Sequence, residues 1–272
     1  MKRLWFLGFV ASLAGLLGPI GQSRAATPLT ADEVIRRTVE RADPATASNV
    51  VAKPDYKYQK RTVTEEIDTK GKLKDRKEKL YEVSLESGLS YFKLLQINGQ
   101  GLTPKELKKQ EDKEAAERAK WMDTKSPQKG DKWENFLTAE LVARYKFTLL
   151  ETRMMNERTT YVLKFEPKSD NLPVKKLTDR FLNHVGGKVF IDAEDFEITR
   201  ADVHLNAEIS LWGGIVGTLR RCDYTLVRTR MPDGVWMNSS SHGVFEGRKL
   251  LEQMFIRTNS ESTDFRKLAM AN

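Results

Sequence analysis

The chain has 272 residues, with 46 Lys and Arg against 38 Asp and Glu, three His and one Cys. A single cysteine excludes an internal disulfide, and a domain of this length can be stable on its core alone. The positive excess is modest and both signs are spread along the chain. That reads as a solvated surface with a leaning towards anionic surfaces such as lipid headgroups, and no nucleic-acid partner is expected.

The first segment reads as a secretory signal peptide. Lys2 and Arg3 precede an apolar run over residues 4–17, and Gly18 and Pro19 break it. Ser23-Arg24-Ala25 then places small residues at the −3 and −1 positions of a cleavage site. Cleavage is expected between Ala25 and Ala26, giving a periplasmic or secreted protein with no transmembrane span after it. The apolar run is shorter than the ~20 residues that cross a bilayer core. The only cysteine, Cys222, stands far from the cleavage site and cannot carry a lipid there. Residues 1–25 hold three basic side chains and no acidic one, so an excess of five positive charges remains beyond them. Residues 26–272 contain no linker rich in Pro or Gly and no repeat, so one domain is the simplest parse.

Thr30-Ala-Asp-Glu33 fits a capping box ahead of a short helix with Val34, Ile35, Thr38 and Val39 inward. Strand patterning starts at Tyr56 and turns at Asp68-Thr-Lys-Gly71. It returns over residues 80–85 and resumes over 91–97, closed by Asn98-Gly99. Thr103-Pro-Lys-Glu106 is a second capping box. The stretch it opens, 104–120, is almost wholly charged, with Leu107 its one large apolar residue. It reads as an exposed helical insertion at about 103–121, laced by charge pairs three and four apart.

Residues 133–144 predict a helix burying Phe136, Leu137, Leu141 and Val142. Strands follow at 145–150 and 160–165. Another helix is expected over 173–184 with Val174, Leu177, Phe181 and Leu182 inward, ended by Gly186-Gly187 as its C-cap. The last third is strand after strand. Val189-Phe-Ile191 leads to an acidic turn at 192–195. Strict alternation over 201–211 predicts one long strand with a wet and a buried face. Phe196 and Ile198 fall out of phase with it, which places a bulge near Thr199-Arg200. Hairpins follow at Gly213-Gly214 and Pro232-Asp-Gly234, and strands at 218–230, 235–245 and 251–258. The fold class is α+β, and so many antiparallel strands must curl or close. The expected shape is a curled, unclosed barrel with helices covering its apolar concave face.

Little in the chain carries chemistry. His184, His204 and His242 show no zinc-ligand spacing, so no metal or other cofactor is expected. Cys222 lacks a placed base. Ser239-Ser-Ser-His242 has no nucleophile elbow, and Gly213-Gly-Ile-Val-Gly217 opens no helix. No catalytic residue is assigned and no enzyme is expected. What remains is capacity for apolar binding in a curled sheet under a helical cover. The candidate lining residues are Val203, Leu205, Leu211, Trp212, Trp236 and Phe245.

Asn98-Gly-Gln-Gly-Leu-Thr-Pro104, Val189-Phe-Ile-Asp192, Phe196-Glu-Ile-Thr-Arg200 and Asp233-Gly-Val-Trp236 follow the signal segment in that order. With that order the chain resembles a group of bacterial exported proteins similar to the outer-membrane lipoprotein-sorting proteins LolA and LolB. The resemblance implies an unclosed barrel whose helix-covered cavity holds acyl chains. The function expected is a non-enzymatic periplasmic carrier for the acyl chain of a lipid or lipoprotein. The other reading is a periplasmic sensor, regulator or scaffold that binds a membrane-protein partner through the charged helix.

Overall fold

A computed structural model describes residues 29–42, 56–86, 89–123, 137–169, 172–174, 177–211, 217–249 and 252–268. The signal segment, Phe136, Trp212 and the Gly213-Gly214 turn lie outside them.

Helix α1 spans Ala31–Ala42. Thr30 starts it as expected, accepting the Glu33 N–H at 3.3 Å. The Glu33 carboxylate goes instead to Arg36 and Arg37. Val34, Ile35 and Thr38 form its buried stripe.

Strands β1 (Tyr56–Ile67), β2 (Leu73–Glu86), β3 (Leu89–Ile97) and β4 (Gln100–Gly101) form a meander, turning at Gly71 and at Asn98-Gly99, all at positive φ. Helix α2 follows over Pro104–Asp123. Its capping box is closed both ways: the Thr103 N–H donates to Glu106 Oε2 at 2.9 Å and the Glu106 N–H to Thr103 Oγ1 at 3.4 Å.

Of the expected helix over 133–144, residues 133–136 lie outside the described residues, and the rest holds one turn, α3 (Ala139–Val142). Thr138 caps it by accepting the Leu141 N–H, and β5 (Tyr145–Met155) starts too soon for a second turn. Strand β6 (Arg158–Pro167) returns through Asn156 and Glu157, both at positive φ as in a type I′ hairpin.

The expected helix over 173–184 is also shorter, α4 (Leu177–Leu182), and Val174 is 52 % exposed rather than inward. Side chains hold the approach to it. Arg144 Nη1 donates to the Pro173 carbonyl at 3.3 Å, and Asn183 Nδ2 donates to the Leu172 carbonyl at 2.8 Å. Arg144 also pairs with Asp179 at 3.1 Å, which ties α4 to the head of β5.

Gly186 and Gly187 do not cap α4. They lie inside β7 (Val185–Asp192), where Gly187 pairs with Val203. Strand β8 is Ile198–Leu205, and the expected bulge is there: Phe190 faces Arg200 while Ile191 faces Ile198.

The long alternating run over 201–211 is two strands. β8 ends at Leu205 and β9 is Ile209–Leu211. Both pair with β10 (Gly217–Arg230), His204 with Asp223 and Ile209 with Leu219. One residue more on the first side forces a bulge between them, and the Asn206 N–H turns away to the His184 carbonyl at 2.7 Å. Ala207, expected inward, is exposed. Strands β11 (Trp236–Lys249) and β12 (Glu252–Lys267) complete the fold.

The strands form one antiparallel 12-stranded sheet in the order β4-β3-β2-β1-β12-β11-β10-β8-β7-β6-β5, with β9 beside β10. Its edge strands β4 and β5 do not meet, so the sheet is open, and one this wide curls. Ala201 pairs with Leu226, Leu226 with Ser241, Ser241 with Ser260 and Ser260 with Thr62. These residues therefore share a face, and Tyr58 joins them by alternation along β1.

That inner face carries both apolar clusters. One packs Val34 and Ile35 of α1 onto Leu163, Val189, Ile191 and Ala201. The other gathers Tyr56, Tyr58, Val83, Leu85, Met231 and Met237. The outer face is charged. Its buried Phe190 is covered by the guanidinium groups of Arg153 and Arg200, 5.4 and 5.3 Å from the ring centre. Among the described residues no helix is long and apolar enough to cross a membrane.

Candidate functional site

Between the two clusters the inner face crosses β8, β10, β11 and β12. Val203, Tyr224, Gly243 and Thr258 stand in one row across these strands, and Cys222, Phe245 and Ile256 form the next. Leu205 lies two residues beyond Val203 on the same face. Val203, Leu205, Phe245 and Ile256 are half-buried, neither sealed in the core nor fully wet.

Gly243 supplies the seat for Phe245. A Cβ on Gly243 would stand 2.7 Å from the Phe245 ring and 2.9 Å from the Thr258 methyl carbon. The missing side chain lets the ring lie flat along the sheet, making a continuous apolar strip beside the helix-covered core.

Val203, Leu205 and Phe245 are thus brought to one face near one end of the strands. Leu211 pairs with Gly217 in β9 next to them, and its side chain lies outside the described residues, as does all of Trp212. Trp236 is not part of this strip. It starts β11 at the opposite rim, and its indole N–H donates to Asp195 Oδ2 at 2.9 Å. Hydropathy places an aromatic residue in a hairpin but does not say at which end of the sheet it falls.

That opposite rim holds an ion network whose trace in the sequence is the acidic turn at 192–195. Asp192 is 1 % exposed. It accepts from Arg158 Nε and Nη2 at 2.5 and 2.7 Å, and from the N–H groups of Glu194 and Asp195 at 3.0 and 2.8 Å. Asp195 also takes Arg230 Nε at 2.7 Å. One turn further along the rim, Asp233 binds Lys267 Nζ at 3.0 Å and the Tyr56 hydroxyl. Arg228 bonds Glu197 at 2.9 Å, and Glu197 also meets Arg41 at the end of α1. The turns β5–β6, β7–β8 and β10–β11, with the ends of β12 and β1, are joined into one clasp.

The clasp fixes its own charges. Burial pushes the Asp192 carboxyl up, but the Arg158 guanidinium and two backbone N–H groups outweigh it and hold the group below the usual carboxylate range. Asp195 behaves likewise, burial opposed by Arg230 and Trp236. In Asp233 burial is overcome by Tyr56 and Lys267. These carboxylates are engaged and stay ionised, which suits a structural role and not proton transfer.

The remaining reactive groups are quiet. Burial, and behind it the Asp223 carboxylate, pushes the Cys222 thiol up to about 11, so it stays protonated at neutral pH. His242 is exposed on the outer face, 2.6 Å from Asn259 Oδ1. Among the described residues no group of three or more His, Cys, Asp or Glu could hold a metal ion. Helix α2 meets the sheet through Gln110, whose Oε1 accepts the free Leu94 N–H of β3 at 3.1 Å.

No family profile matches the chain, and no curated protein matches it. Among solved structures it is similar to a LolA superfamily protein from Nitrosomonas europaea, at 10% identity over 90% of this chain and 96% of that one, with a TM-score of 0.34. It is similar to an outer membrane lipoprotein-sorting protein domain from Vibrio parahaemolyticus, at 12% identity over 88% and 95%, with a TM-score of 0.37. It is also similar to a chain of the MucA/MucB complex of Pseudomonas aeruginosa, at 10% identity over 88% and 99%, with a TM-score of 0.25.

Proposed function

We propose that this chain is a non-enzymatic binding protein for acyl chains of lipids or lipoproteins, exported by residues 1–25 and working in the periplasm. The observation that carries this reading is the strip of Val203, Leu205 and Phe245 on the inner face of an open sheet, beside a core already covered by α1. Apolar burial contributes about 0.8 kcal/mol per methylene, so a chain laid along such a strip needs no polar chemistry to hold it.

The test is displacement of a fluorescent fatty acid from the purified protein, with native mass spectrometry for lipid carried through purification. The wild type binds the probe, and Phe245→Asp weakens it at least tenfold with an unchanged far-UV spectrum. A wild type that neither binds the probe nor carries lipid overturns the reading.

One observation favours the scaffold reading. Helix α2 is anchored through Gln110 yet shows Leu107 47 % exposed, as a docking helix would. Deleting residues 105–120 would then remove a partner in a pull-down while leaving the thermal melt of the rest unchanged.

A further inference from the structure

Two rows along the inner face from Phe245 and Ile256, the apolar strip gives way to a polar one. Thr62 shares that face with Ser260 and Ser241, and its partner on the other side is Lys79. Two residues back along β1, Lys60 pairs with Ser262 and with Tyr81. Burial follows the same alternation. In β12 Thr258, Ser260 and Ser262 are half-buried, while Arg257, Asn259, Glu261 and Thr263 on the other face are exposed. Lys60, Thr62 and Lys79 are half-buried as well, so they stand inside the curl of the sheet.

The groups gathered there suit an anion. The Thr62 and Ser260 hydroxyls lie 3.0 Å apart. One donates to the other, and the accepting hydroxyl keeps its own proton for a ligand. Lys60 Nζ stands 5.4 Å from the centre of the Phe92 ring, and that ring is set edge-on to Tyr81. Lys79 has no ion pair among the described residues. The neighbours of Thr62 on this face, Lys60, Thr64, Lys79 and Ser260, include no acid. The acids stand at its ends. Glu66 is held by Lys74, and Asp75 opposes Glu66, with Lys77 between Asp75 and Lys79. Glu106 of α2 is capped on Thr103 and met by Lys77, and Glu114 accepts from Gln110. Asp264 lies beyond Ser262, in the bulge of β12.

We infer that Lys60, Lys79, Thr62 and Ser260 form a headgroup site, which binds the anionic phosphate or carboxylate of an amphiphile whose chain lies on the apolar strip. Ammonium and hydroxyl donors give an oxyanion charge-assisted hydrogen bonds. Four residues of β12 separate Ile256 from Ser260, roughly 14 Å. The polar row therefore begins where a medium-length chain on the strip ends. The strip alone accepts an alkyl chain in either direction, and the row fixes which end carries the charge. The inference rests on the acyl-carrier reading and adds the class of its ligand.

The test is displacement of the fluorescent fatty acid by decyl phosphate, by decanol and by inorganic phosphate. Decyl phosphate displaces the probe at a concentration at least about tenfold lower than decanol, the worth of one charge-assisted hydrogen bond. The gap narrows at high salt. Inorganic phosphate, which has no chain, displaces nothing over the same range. Lys60→Met with Lys79→Met closes the gap, while displacement by decanol and the thermal melt stay at wild-type values. Thr62→Val with Ser260→Ala narrows it without removing a charge. Lys93→Met, at an exposed lysine of the outer face, leaves it unchanged. Equal displacement by decyl phosphate and decanol, or a double-lysine variant that keeps the gap, overturns the headgroup site and leaves the carrier reading standing. Inorganic phosphate that displaces the probe as well as decyl phosphate does overturns it too, as the mark of a site for free anions. A protein whose probe neither decyl compound displaces loses the carrier reading and the headgroup site together.

Discussion

Asp192→Ala destabilises the protein by about 3 kcal/mol or more, measured by urea unfolding at neutral pH. Breaking a buried pair from one side leaves the other charge unpaired, at roughly 3–5 kcal/mol. Here it also orphans the N–H groups of Glu194 and Asp195. Arg158 keeps Glu194 and Asp195 within reach at 3.1 and 3.3 Å, which puts the loss near the lower end. Glu194→Ala is the control. That side chain is 72 % exposed, and its loss stays below about 1 kcal/mol.

The same carboxylates set an acid limit. Asp192, Asp195 and Asp233 are all held below their ordinary range in the folded state. A depressed folded value stabilises at pH above the unfolded value of about 3.9, and that contribution is lost as pH falls through the lower folded values. Stability is therefore flat above about pH 5 and drops steeply below pH 4. In Asp192→Ala the drop is shallower. Equal slopes for the two proteins in urea titrations at pH 7 and pH 3 would sink this assignment.

Gly187→Ala is the more severe change. A Cβ there would stand 1.9 Å from the Asp202 carbonyl oxygen and 3.1 Å from Phe165 Cε1, at a φ of 155° that side chains rarely adopt. The β7–β8 pair must separate, and every residue of β7 except Lys188 is buried. The expected loss is about 4 kcal/mol or more, in the range reserved for core disruption. Gly71→Ala makes the comparison. Its φ of 79° is also unfavourable, but nothing lies within 4 Å, so only local strain of about 1–2 kcal/mol applies. Similar melting temperatures for the two variants would show that β7 and β8 can part cheaply.

Local rules made much of the sheet legible. Period-two alternation and the Asn98-Gly99 and Asp233-Gly234 turns mark β1 to β3, β10 and β11, and capping boxes start α1 and α2. Other elements answer to distant partners. Apolar spacing alone extends α3 and α4 over residues that Thr138, Arg144 and Asn183 hold in other conformations. Two adjacent glycines after a helix read as a cap. The need for Gly187 comes from the Asp202 carbonyl across the sheet, which appears only with the register.

The candidate strip was legible in part for the same reason. Alternation identifies Val203 and Leu205 as inward, but only strand pairing sets Phe245 beside them and sends Trp236 to the far rim. The clasp joins residues 34, 35 and 41 positions apart in sequence. Its local trace is the acidic turn at 192–195 with the Asp233-Gly-Val-Trp236 hairpin, two short motifs whose connection is purely spatial.

The one-sided clasp also governs how such a chain can change over evolutionary time. A turn bound into it cannot gain residues without moving a charge that neighbouring turns depend on. At the other rim Arg144 and Asp179 tie the head of β5 to α4, but among the described residues no ion pair reaches the β1–β2 turn or the β3–β4 turn, beside which α2 starts. Changes of length are expected to accumulate there, so partner preference can diverge between descendants while the binding face and its register are inherited unaltered.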